Sequence, residues 1–115
     1  DIYLVDTYGE ATKFYSLSNV TFLGGSLIKH GGQNPLEPAR QGNYILTGPN
    51  VQNFKEIYTF LSRNNIAVKS SNFEKIKKII LNNLNKGISS EKREKIIKIG
   101  EKILDKNISL LKKFI

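Results

Sequence analysis

The residues able to do chemistry gather in the first half of this 115-residue chain. Two glycine pairs, Gly24-Gly25 and Gly31-Gly32, flank Ser26, Lys29 and His30, and Asn34-Pro35-Leu36-Glu37 follows directly. Upstream stands Asp6-Thr7-Tyr8-Gly9-Glu10. Glycine lets backbone turn through positive φ and approach a ligand closely. Asn34 reads as a helix N-cap with Pro35 at the first helical position. Helix starts carry free N–H groups that suit a phosphate. Two glycine pairs this close, ahead of a capped helix start, favour a ligand loop over simple turns. Glu37 in the first turn has two readings. It complements the helix dipole, or it accepts hydrogen bonds from a sugar diol. Glu10 has the same two readings. Lys29, His30 and Arg40 lie near the loop and have two readings, as partners that balance an anionic ligand or as plain surface residues.

These residues need a scaffold, and the pattern supplies one. Ile2–Val5 and Val20–Leu23 read as short buried strands, with a helix from Glu10 to Ser18 between them. A short helix Pro35–Gln41, with Gly42 as its C-terminal stop, leads to a strand Tyr44–Leu46. Val51 to Arg63 reads as a helix and Ile66–Val68 as a fourth strand. Alternating strands and helices predict an α/β fold, a Rossmann-like parallel sheet flanked by helices. In such sheets ligands bind beyond the carboxyl ends of the strands. That edge holds the loops Asp6–Glu10, Gly24–Asn34, Thr47–Asn50 and Lys69–Asn72. Four short strands are few for a complete doubly wound sheet, so further strands are expected upstream of Asp1. Beyond residue 70 the chain reads as helical. Phe73, Ile76, Ile80 and Leu84 form one stripe, and Gly87 breaks it. Ser89-Ser90 open a long helix striped by Ile97, Gly100, Leu104, Ile108, Leu111 and Ile115. We read 1–115 as a single domain, with a β/α part (1–70) and a basic helical part (71–115).

Composition narrows the chemistry. Cys is absent and His30 is the single histidine, which excludes thiolate chemistry and histidine-cluster metal sites within the chain. No Asp-x-Asp pair is present, and neither a metal nor a cofactor is expected. No apolar run is long enough to span a bilayer. The net charge of +8 is uneven: residues 1–70 hold six basic and five acidic groups, and 71–115 hold twelve and five. Lys92, Arg93, Lys95, Lys98, Lys102 and Lys106 interleave with Glu91, Glu94, Glu101 and Asp105, which favours a solvated face over a binding patch. Attraction to an anionic membrane surface is the second reading. Nucleic acid is not expected as a partner, because Phe73 and Phe114, the two aromatics of that part, lie on apolar stripes and form no stacking platform.

The run Gly24-Gly25-Ser26-Leu27-Ile28-Lys29-His30-Gly31-Gly32-Gln33-Asn34-Pro35-Leu36-Glu37-Pro38-Ala39 resembles the signature of 3-deoxy-D-manno-octulosonic acid (Kdo) transferases. Asp6-Thr7-Tyr8-Gly9-Glu10 with Phe14-Tyr15, then Gly48-Pro49-Asn50 and Asn53-Phe54, resemble the same family. The likeness covers roughly residues 1–62. It implies the C-terminal, nucleotide-sugar-binding domain of a GT-B glycosyltransferase of lipopolysaccharide biosynthesis. Such an enzyme moves Kdo from CMP-Kdo to a lipid A precursor at the cytoplasmic face of the bacterial inner membrane, by an inverting, metal-independent displacement. The resemblance further implies that Tyr8, Gly9 and Glu10, with Asn34, Pro35, Leu36 and Glu37, contact the CMP moiety. The family's general base, a Glu, and a Pro-Arg pair at the nucleotide would lie upstream of Asp1. No catalytic residue is therefore assigned here, and the fragment alone is expected to be soluble and inactive. The alternative is a nucleotide- or nucleotide-sugar-binding module without catalysis of its own.

Overall fold

The computed structural model describes residues 2–114. Three short strands form a parallel sheet in the order β1-β2-β3: β1 Val20–Leu23, β2 Tyr44–Thr47 and β3 Ala67–Lys69. Val20 stands opposite Tyr44 and Leu23 opposite Thr47, while Ile45 stands opposite Ala67. Helix α1 (Ala11–Leu17) precedes β1, and α2 (Leu36–Arg40) connects β1 to β2. A 3-10 turn Gln52–Phe54 and α3 (Lys55–Arg63) connect β2 to β3, where a single helix was expected. Two further helices follow, α4 (Phe73–Asn83) and α5 (Ser90–Lys112).

The strands are apolar because the sheet is covered. Leu23, Ile45 and Ala67 meet Ala39 of α2, Tyr58 and Leu61 of α3 and Ile96 of α5 in one core cluster. Leu46, on the opposite face of β2 from Ile45, is equally sealed. Burial on both faces is what a central parallel strand requires, and each such side chain contributes roughly 1.5–3 kcal/mol relative to exposure.

Ile2–Val5 is not a strand. Residues 2–9 are exposed, and Tyr3 stacks on Phe14 at 6.0 Å between ring centroids. An apolar run takes strand form only where a neighbouring strand satisfies its backbone, and among the described residues β1 pairs with β2 alone. The other boundaries shift by a residue or so. Asn34 does cap the start of α2: its Oδ1 accepts the Leu36 N–H at 3.0 Å. Gly42, at φ +91°, closes that helix as expected. Asn72 and Ser89 cap α4 and α5 through bonds from the N–H groups of Lys75 and Lys92.

The basic helical part docks on the sheet's amino edge. Ile88 N–H donates to Gly42 O at 2.9 Å, and Asn19 Nδ2 donates to Leu84 O at 2.8 Å. On α5, Lys95 pairs with Glu91 at 3.3 Å and Lys98 with Glu94 at 3.1 Å. These exposed i,i+4 pairs are the mark of a solvated face, worth about 0.3–0.5 kcal/mol each. From Glu101 to Phe114 every residue is exposed, and Ile115, the end of the expected stripe, lies outside the described residues. Among the described residues no helix is long and apolar enough to cross a membrane.

Candidate functional site

The carboxyl edge of the sheet is built around Ser26. Its hydroxyl donates to Leu23 O at 2.7 Å and accepts the Gly48 N–H at 2.8 Å. Its carbonyl accepts the Asn50 N–H at 2.9 Å and Asn50 Nδ2 at 3.1 Å. One buried serine thus ties the loop after β1 to the loop after β2. Farther along, Gly32 N–H donates to Gly25 O, and Gly31 and Gly32 sit at φ +97° and +77°. A Cβ on Gly31 would lie 2.2 Å from the Asn53 side chain. Tyr58 of α3 reaches out of the core to donate its hydroxyl to Gln33 O at 3.0 Å. The second glycine pair therefore works first as turn and close packing. Lys29 and His30 ride on the exposed outer part of this loop, and the His30 ring lies over Gly25.

The start of α2 differs from the expected phosphate cradle. Pro35 and Pro38 have no N–H, Leu36 gives its own to Asn34, and the Ala39 N–H is spent on Pro35 O. Among the described residues, the Glu37 N–H alone remains without a partner in this turn. With five residues, α2 also has little dipole. What it presents to solvent is an acceptor, the exposed Glu37 carboxylate, beside the exposed Asn34. Pro35 is buried and Leu36 partly so; they hold the turn in place.

Glu37 is joined to the other candidate segment. The Thr12 hydroxyl, in the first turn of α1, donates to Glu37 Oε1. At the far end of the same helix pair, Asn43 Nδ2 donates to Tyr15 O at 2.7 Å. The two short helices thus run alongside each other, with Thr12 and Glu37 in contact near their starts. Just before α1, the Glu10 carboxylate accepts the Thr7 hydroxyl and faces Lys13 Nζ at 3.6 Å. Gly9 turns at φ +81° in open space, and Tyr8 is fully exposed. An open concavity of about 550 Å³ runs along Val5–Gly9, Ala11, Phe14 and Tyr15. It takes in Tyr8 and Gly9, whereas Asn34–Glu37 are not among its lining, and Glu37 meets α1 at Thr12.

No family model matches the chain. The 3-deoxy-D-manno-octulosonic acid transferase of Rickettsia typhi is 34% identical over 121 residues, covering 100% of this chain and 26% of that protein. The transferase of the same name from Haemophilus influenzae is 33% identical, covering 99% of this chain and 26% of its own length. The crystal structure of the C-terminal CMP-Kdo binding domain of WaaA from Acinetobacter baumannii superposes with a TM-score of 0.66 at 32% identity, over 89% of this chain and 52% of that one. The chain belongs to the Kdo transferase family. It spans about a quarter of the length of the curated relatives it matches.

Within this Kdo transferase domain, Arg40 is not at the carboxyl edge of the sheet. It ends α2, and its guanidinium lies against Gly100 of α5. A charge read as near in sequence points the other way, because five helical residues carry it to the opposite edge of the sheet. Two roles are visible in the structure alone, the Ser26 tie between the loops after β1 and β2 and the Thr12 bond to Glu37. A serine between two glycine-bearing loops is a usable signal for the first. For Thr12 no local signal exists, since its partner is 25 residues away.

Burial raises the hydroxyl pKa of Tyr15 above its ordinary 10.0, and the nearby Glu37 carboxylate raises it further. Burial also raises Tyr44 and Tyr58. A folded pKa above the unfolded one means the neutral phenol stabilises the fold. That contribution is complete below pH ~10 and is lost as pH rises through the folded values. A chemical-denaturation series should therefore show stability falling above pH ~10, with phenolate absorbance appearing later than for free tyrosine. Full stability retained while all tyrosines ionise would contradict it.

Proposed function

We propose that this chain is the donor-binding part of a GT-B glycosyltransferase that transfers Kdo from CMP-Kdo to a lipid A precursor. The observation that carries this is the likeness, at 32% identity over 89% of the chain, to the CMP-Kdo binding domain of WaaA from Acinetobacter baumannii. The arrangement of the carboxyl edge supports it. The Thr12–Glu37 bond links the start of α1, which Tyr8, Gly9 and Glu10 precede, to the start of α2, where Asn34, Pro35, Leu36 and Glu37 stand. In this reading Glu37 accepts hydrogen bonds from hydroxyls of the CMP moiety. Pro35 and Leu36 shape the turn that presents it, and Asn34 keeps its amide NH₂ for the ligand while its oxygen caps the turn. Gly9 lets the backbone before α1 approach the nucleotide without a side chain between. Deprotonation of the acceptor hydroxyl, the general-base step, falls to a group outside residues 1–115, as does binding of the lipid acceptor at the membrane surface. Transfer is inverting and single-displacement.

Titration of the purified 115-residue chain with CMP, followed by amide NMR, tests this. Binding with shifts confined to residues 8–12 and 34–37 is the expected result, together with no transfer of Kdo to lipid A precursor. Saturable binding elsewhere, or no binding, removes the site; transfer by the chain alone overturns the division of labour.

A further inference from the structure

Helix α2 has five residues, too few to be stable on its own hydrogen bonds. Its position is set by what grips its two ends. Asn34, Pro35 and Thr12 hold the start. The far end is held by the basic helical part. Arg93 Nε of α5 donates to Arg40 O at 2.6 Å, a charge-assisted bond to a helix-terminal carbonyl that would otherwise lack a partner. The Arg40 side chain then crosses α5 at Gly100, where a Cβ would lie 2.2 Å from Nη2. Two residues on, Gly42 O receives the Ile88 N–H, and Gly87 is packed so that a Cβ would lie 2.2 Å from the same oxygen. Between α2 and α5, Ala39 and Ile96 are fully buried in the shared core.

We propose that Arg93, Arg40 and Gly100 are positioning residues for the donor site. By fixing the carboxyl end of α2, they set where Glu37 stands, about 4.5 Å back along the helix, and Asn34 just before it. The basic charge of these arginines thus serves the site through the helix rather than by touching the nucleotide. The inference rests on the donor-site reading for its functional consequence, and on the junction itself for its mechanics.

The test uses the 115-residue chain with Gly100→Ala, Arg93→Ala and Arg93→Lys. Gly100→Ala displaces only the flexible tip of Arg40, so the variant retains the fold, and a thermal melt serves as the control. Two quantities are read: amide hydrogen exchange of Ala39, Arg40 and Gln41, whose N–H groups are bonded within or at the end of α2, and affinity for CMP. Exchange in α2 is expected to quicken about tenfold in Arg93→Ala, the worth of a hydrogen bond to a charged group, with exchange in β2 unchanged. CMP affinity is expected to fall about tenfold with it, and Arg93→Lys, which restores a donor, should recover most of both. Gly100→Ala should move both in the same direction. Unchanged α2 exchange in Arg93→Ala and Gly100→Ala overturns the proposal, and so does faster exchange with CMP affinity intact. If the wild-type chain takes up no CMP, the donor-site reading fails by itself, and the exchange rates still decide whether α5 holds α2.

Discussion

Replacing Glu37 by Ala in a whole transferase of this family carrying this domain is expected to lower kcat/KM for CMP-Kdo by at least about tenfold. The size follows from the bond lost, since a hydrogen bond to a charged group is worth about 1.5–3 kcal/mol, or roughly 10- to 150-fold. The competing account, in which Glu37 only complements the helix dipole, has little to complement in a helix of five residues. The carboxylate is exposed and its Oε1 accepts one hydroxyl, from Thr12. An ionised carboxylate has about four acceptor positions, so capacity remains for a ligand diol. Glu37→Gln, which keeps the shape and loses the charge, should fall between wild type and Glu37→Ala. Thr12→Val, which leaves the charge and removes its orienting partner, should cost less than Glu37→Ala. Steady-state kinetics at varied donor concentration measure all three. Wild-type kcat/KM in Glu37→Ala would take the residue out of the site.

Much of the scaffold was legible because its signals are local. Asn34 before a proline, Gly42 after a short amphipathic run and Ser89 before an acidic first turn each mark a helix end by their own chemistry, and each is where it was expected. The alternation of apolar strands with helices was enough to place Gly9, the two glycine pairs and Glu37 on one edge. Pairing, by contrast, is not local. Ile2–Val5 has strand composition and no strand beside it. The donor content of α2 is not local either: the Asn34 capping bond that suggests a phosphate site uses up the Leu36 N–H, and two prolines remove two more donors. Arg40 follows a similar rule: nearness along the chain is not nearness in space, and α2 carries it to the opposite edge of the sheet, against Gly100.

Gly48→Ala is expected to destabilise the fold by about 2–4 kcal/mol, summing the hydrogen bonds it would break. The Cβ would stand 2.3 Å from Ser26 O and 2.7 Å from the Leu27 nitrogen. Both are backbone atoms, so no side chain can swing aside, and the loops after β1 and β2 must separate. Separation breaks the Gly48 N–H bond to Ser26 Oγ and weakens both bonds from Asn50 to Ser26 O. Each neutral bond is worth about 0.5–1.5 kcal/mol, and a buried group left unpaired costs more. Ser26→Ala isolates the side-chain share. It removes the two hydroxyl bonds and leaves the carbonyl contacts in place, so its cost should be smaller, about 1–2 kcal/mol. Urea denaturation of the two variants beside wild type measures the difference. The consequence reaches the site, because the loop that Ser26 anchors runs on through Gly31 and Gln33 into Asn34. A Gly48→Ala chain that unfolds at the wild-type urea concentration would show that the two loops are not in contact through this glycine. The ligand edge would then owe its shape to α2 and α3 alone.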